Sequence, residues 1–130
     1  MTNSILNSTK KVLGIAPDYT AFDLDILMHI NTVFSALEQL GVGPTGGFMI
    51  EDDTAEWGTL LGTDPRFNAV KTYVYLRVRL LFDPPATSFA INAMQEQVKE
   101  LEWRINVTAE SLRSDAVVVP VDDDEYVPGF

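Results

Sequence analysis

The chain has 130 residues, 46% hydrophobic and 22% charged, a globular composition of single-domain size rather than that of a disordered polymer. It has no cysteine, which excludes a disulfide frame and any thiolate metal site and fits a reducing compartment, or a particle assembled in one. A net charge of -10 repels a phosphate backbone, so sequence-general DNA binding is not expected, although acidity also suits a protein that DNA slides past without sticking.

From Asn3 to Gly14 the spacing predicts a short helix, capped by Asn3 or Ser4, with Ile5, Leu6, Val12 and Leu13 on one side and Gly14 as a left-handed stop. The opening stretch lacks the apolar run of a signal peptide, and none is expected. Pro17 breaks the chain. Thr20 and Asp23 then have capping-box spacing, with Tyr19 and Leu24 placed as a hydrophobic staple. Phe22, Ile26, Ile30, Val33, Leu37 and Leu40 recur every three or four residues and predict a long helix, widened by Leu27 and Phe34. Gly41 and Val42 supply a Schellman ending.

The loop GVGPTGGF follows. Its glycines suggest a phosphate-binding loop, but no Lys-Ser/Thr pair follows to grip a terminal phosphate and its metal, so it reads as a linker. Asp53 and Glu56 repeat the capping-box spacing before a short helix with Trp57, Leu60 and Leu61 inside, closed by Gly62. Asp64-Pro65 is an N-cap followed by a proline at the first helical position. The helix it opens carries Phe67, Val70, Val74, Val78 and Leu81 on one stripe, and Asp83-Pro84-Pro85 stops it. A last long helix starts near Ser88, with Ile91, Met94, Val98, Leu101 and Ile105 inward and Glu100 oriented to pair with Arg104. Periodicity fades after Val107.

The expected architecture is therefore all-α, a small bundle of four to five helices with an extended C-terminal tail. Residues 1–113 make the helical body and residues 114–130 an acidic arm. The body holds nine Lys and Arg against fourteen Asp and Glu; the arm holds five acids and no base. Within the arm, Ala116, Val117, Val118 and Val119 favour a strand, and Pro120 suits a strand edge. An all-helical body offers that strand no sheet, so the expected partner is another protein's sheet edge. Val121, Tyr126, Val127 and Phe130 would add anchors.

The chemistry-bearing residues point away from catalysis. His29, the sole histidine, has Asp25 one turn before it, at most half a metal site. The runs Glu51-Asp52-Asp53 and Asp122-Asp123-Asp124-Glu125 lack the alternate spacing of a calcium loop. A glycosidase-type carboxylate pair would need a larger clefted fold, and no serine has the glycines of a nucleophile elbow. No catalytic residue, cofactor or metal is expected. Lys71, Tyr75 and Arg79, spaced by four, form a basic and aromatic face on an acidic protein. That face is a solvated surface or a contact for an acidic neighbour subunit, with nucleic-acid binding third because one stripe of two cations is a weak footprint.

Several strings, taken in order, resemble head–tail connector (adaptor) proteins of long-tailed bacteriophages, especially actinobacterial ones: SILNSTKKVLGI, FDLDILMHINTVFSALEQLGVGP, YVYLRVRLLFDPP and MQEQVKELEWRIN. The likeness spans about Ser4 to Val107. FDPP departs from the Tyr-Glu-Asn-Arg-like ending of better-known members. The resemblance implies a non-enzymatic helical virion protein at the head–tail junction, assembled in the host cytoplasm. It implies a ring of about twelve copies that closes through head-to-tail contacts below the portal and extends the DNA channel. Its partners would be the portal protein, neighbouring copies and the next neck protein (stopper) or a tail component, with no membrane. By the same resemblance, the arm Ala116–Phe130 would reach the portal, and Lys71, Tyr75 and Arg79 would pair with the next copy. A helical interaction module of another system is the alternative.

Overall fold

The computed structural model describes residues 4–44 and 46–117. Five helices account for most of them: α1 (Ile5–Val12), α2 (Asp23–Gln39), α3 (Trp57–Leu61), α4 (Asn68–Phe82) and α5 (Ser88–Val117), with a 3-10 turn at Pro65–Phe67 leading into α4. Among the described residues there is no strand beyond one isolated antiparallel bridge, Ser4 to Glu56. The all-α expectation holds.

Local end signals work where the expected glycines and caps stand. Ser4 Oγ accepts from the Asn7 N–H at 3.2 Å and caps α1. Gly14 (φ +82) and Gly41 (φ +94) adopt the left-handed conformation that α1 and α2 need to end. At the end of α2 the Val42 N–H bonds the Leu37 carbonyl and the Gly41 N–H bonds that of Glu38, a complete Schellman pair. Asp64 caps the 3-10 turn by accepting from the Arg66 N–H at 2.9 Å, with Pro65 next. Asp83 ends α4 before the two prolines.

Both predicted capping boxes fail. Helix α2 begins at Asp23 rather than after Thr20, with no side-chain cap, and Thr20 to Asp23 is only a turn. Asp23 is engaged elsewhere: its Oδ1 stands 2.7 Å from the Nζ of Lys10, whose side chain is 1% exposed. The contact is off the axis of a hydrogen bond, but Coulomb attraction depends on distance, so it acts as an ion pair. Lys10 also donates to the Pro17 carbonyl at 3.0 Å. The staple is absent too, since Leu24 is 71% exposed. At α3, Asp53 caps nothing. Asp52 instead accepts from the N–H and hydroxyl of Thr54, and the chain beyond is pinned to α1 by Ile5 N–H to Ala55 carbonyl.

Helix α4 is the centre of the molecule, packed against α2 on one side and α5 on the other, with α1 also touching it. Val70, Tyr73, Val74 and Val78 are fully buried there; each adds about 1.5–3 kcal/mol of apolar burial, enough to hold a short helix with no strong cap of its own. Ile26, Ile30, Val33, Phe34 and Leu37 of α2 face them, and α5 contributes Val98 and Ile105. Three stripe residues differ from expectation. Phe22, Val12 and Leu81 are exposed, because the inner face of α1 is completed by Thr9 and Lys10 and the ends of α2 and α4 overrun the core.

Helix α5 runs through Val117, past the expected boundary at residue 114. Ala116 and Val117, expected as the first half of a strand, are the helix's last residues. A 30-residue helix already nucleated on α4 extends at little cost, and this outweighs the local β preference of two residues. Val118, Val119, Val121, Tyr126, Val127 and Phe130 lie outside the described residues.

Candidate functional site

The face expected on α4 exists as a continuous row. Lys71, Tyr75 and Arg79 are all half-buried, one turn apart on the side of α4 that meets α3. The Tyr75 ring stands edge-on to Trp57, 5.9 Å between centroids, and Trp57 donates its indole N–H to Ser8 at 2.9 Å. Tyr75 thus bridges the core and the surface. Lys71 borders an open hollow of about 240 Å³ shared with Trp57, Leu61 and Asp64, and it has no ion pair among the described residues. Arg79 turns back and donates Nε–H to the Asp83 carbonyl at 2.8 Å, capping its own helix. The row can therefore offer one ammonium and an aromatic edge directly, with the Arg79 guanidinium partly committed.

The seam between α4 and α5 holds a polar cluster that periodicity did not show. The buried Tyr73 hydroxyl donates to Glu102 Oε2 at 2.8 Å and accepts from Arg77 Nη1 at 2.7 Å; Arg77 and Glu102 are 3.4 Å apart. Burial of the phenol, then its bond to Glu102, pushes the Tyr73 pKa up to about 12 against the opposing charge of Arg77. Arg77 one turn after Tyr73 is visible in the sequence; Glu102, on another helix, is not. Another missed contact is Asn31, whose amide both donates to the Ile50 carbonyl and accepts from its N–H, each at 2.9 Å. It fixes the loop after α2 as a neighbouring strand would.

The remaining candidates stay dispersed. His29 stacks edge-on to Phe82 at 6.3 Å, and among the described residues no three His, Asp or Glu converge as metal ligands would. Glu51, Asp52 and Asp53 are exposed, and Thr54 holds the Asp52 carboxyl below the usual carboxylate range through its hydroxyl and N–H. These three acids are solvated side chains and turn formers. None of the described helices is long and apolar enough to cross a membrane.

Residues 5–111 match the family model described as phage connector protein. The chain belongs to that family. The match spans all five helices and ends within α5, so the connector body is the whole of the described core. No curated protein and no solved structure matches the chain. The family and the earlier resemblance agree on a bacteriophage connector, and they do so over nearly the same stretch of the chain.

Proposed function

We propose that this connector is a head–tail adaptor subunit that joins the portal to the tail and acts without catalysis. The observation that carries the reading is the family match across residues 5–111. About twelve copies would close a ring beneath the portal through head-to-tail contacts, extending the channel through which DNA passes. Lys71, Tyr75 and Arg79 would meet acidic side chains of the next copy, and the far face of the ring would receive the next neck protein or a tail component. The arm from Val118 onward, with Val119, Val121, Tyr126, Val127 and Phe130 as anchors, would bind the portal, with Ala116 and Val117 as its helical base. Assembly would take place in the host cytoplasm, and the mature location would be the head–tail junction of the virion.

The net charge of -10 suits such a channel wall, because fixed anions do not hold a moving polyanion. The decisive experiment is a pull-down on portal with the full chain and with a chain lacking 118–130. The shortened chain is expected to keep its helical signal and lose portal binding by at least about tenfold, the equivalent of roughly 1.4 kcal/mol. Equal binding by both would overturn the role given to the arm, and a particle reconstruction placing the chain away from the portal–tail junction would overturn the whole reading.

A further inference from the structure

The seam between α4 and α5 carries an open groove. Two hollows, of about 320 and about 300 Å³, both have Ala69 and Arg104 in their walls and so lie side by side along the seam. The first has Leu76 and Leu101 in its walls, and the second has Trp103 and Val107 on its rim. Trp103 is 68% exposed, an unusual place for the largest apolar side chain. Along α5, from its C-terminal end backward, the groove therefore presents apolar Val107, then the Arg104 cation, then apolar Trp103 and Leu101. Arg66 stands on the second hollow as another cation. Arg104 directs Nε and Nη2 at Glu100, and Arg66 holds Asp64, both as surface pairs of small net worth. A guanidinium carries five N–H donors, so Arg104 can accept a second carboxylate.

The thirteen residues after Val117 carry the complementary order: apolar Val118, Val119 and Val121, then Asp122 to Glu125, then apolar Tyr126, Val127 and Phe130. Their reach fits as well. Extended chain advances about 3.3 Å per residue against about 1.5 Å in a helix, so an arm reversing at the end of α5 passes about two helical residues with each of its own. Val121 then falls about 13 Å back, beside Val107. Asp122 to Glu125 fall about 16–26 Å back from Val117, the stretch that contains Arg104 about 20 Å back. Tyr126 and Val127 arrive beside the hollow walled by Leu76 and Leu101.

We propose that in the unassembled subunit residues 118–130 fold back and occupy this chain's own α4–α5 groove, with Arg104 as the electrostatic latch. The docking stands without the portal reading; its consequence rests on that reading. An arm held in its own groove is withheld from premature partners and becomes available only when a better partner displaces it.

Amide hydrogen exchange on the full chain tests this, with a free peptide of residues 118–130 as reference. Exchange in the arm should be at least about tenfold slower in the chain than in the peptide. Arg104→Glu should return it to the peptide rate, and adding Asp123→Lys and Asp124→Lys to that variant should restore protection. If Arg104→Glu disturbs the body, the two arm substitutions alone, which cannot unfold it, should abolish protection by themselves. Deleting 118–130 should raise acrylamide quenching of Trp103 about twofold while the buried Trp57 stays shielded. Peptide-like exchange in the wild-type arm, or protection indifferent to every charge change, would overturn the proposal. Protection that vanishes on about hundredfold dilution would also overturn it, by placing the arm on a second copy. A protected arm together with unimpaired portal binding by the shortened chain would remove the portal role and leave the docking intact.

Discussion

Tyr73 shows how much one side chain can hold between two helices. Its ring fills the α4–α5 seam with no exposed surface, and its hydroxyl reaches the rim where Glu102 and Arg77 meet it. An ordinary phenol titrates near pH 10. Here the folded pKa is pushed up to about 12, so the folded state holds the proton more tightly than the unfolded chain does. Below pH 10 both states are protonated and the contribution to stability is fully present. Between pH 10 and 12 the unfolded chain loses its proton first, and stability falls until the folded phenol also ionises. Because Glu102 and Arg77 are partly solvated, the fall attributable to Tyr73 is expected at about 1–2 kcal/mol rather than the full shift. Tyr73→Phe should cost about 1 kcal/mol at pH 7, where a hydrogen bond is lost, and should flatten the decline between pH 10 and 12. Urea unfolding of both proteins across that range checks it; an equally steep decline in the variant would assign the effect to other groups.

At the scale of elements, the joint between α1 and α2 depends on a charge taken out of water. Lys10 is fully buried and Asp23 is not, its side chain being 27% exposed. Removing the acid strands a buried cation, whereas removing the cation leaves an acid that water can reach. Asp23→Ala is therefore expected to destabilise by about 2–3 kcal/mol and Lys10→Met, which refills the volume with apolar chain, by about 1 kcal/mol. Urea midpoints of the two variants decide it, and the reverse order would mean that packing rather than charge governs the joint. This pair also marks what the sequence could tell. Helix ends set by neighbouring residues were legible: Ser4, Gly14, Gly41-Val42, Gly62, Asp64-Pro65 and the FDPP stop each act within a turn of their own position. The Thr20–Asp23 box failed because Lys10 claims the Asp23 carboxylate, and the Asp53–Glu56 box because the backbone there is drawn toward α1. The candidate site divides the same way. The row Lys71, Tyr75, Arg79 followed from spacing alone, while Glu102 beneath Arg77 and Asn31 on Ile50 need the tertiary arrangement that brings distant segments together.

For the whole molecule, the governing quantity is an unbalanced charge on a small body. A 130-residue globule has a radius of gyration of about 14 Å, while the screening length is about 30 Å at 0.01 M salt and about 8 Å at 0.15 M. At low salt every carboxylate therefore feels all the others. Against this the described residues set five ion pairs, and only Lys10–Asp23 includes a buried group. Surface pairs contribute about 0–1 kcal/mol and weaken with salt, so repulsion outweighs them. Stability is then expected to rise from 0.01 to 0.15 M sodium chloride by about 1 kcal/mol, or roughly 4 °C in the thermal midpoint. The opposite sign would appear in a protein held together by its surface ion pairs. A chain ending at Val117 keeps nine Lys and Arg against fifteen Asp and Glu, a net charge of -6 instead of -10, so its midpoint should rise less. Thermal unfolding of both chains at the two salt concentrations measures this. A midpoint that falls with salt would show that the ion pairs dominate, and equal slopes would show that the arm's acids do not act on the body. If the proposed ring forms, the same repulsion would operate between its acidic copies, so screening by cations would favour closure for the reason that it stabilises the single subunit.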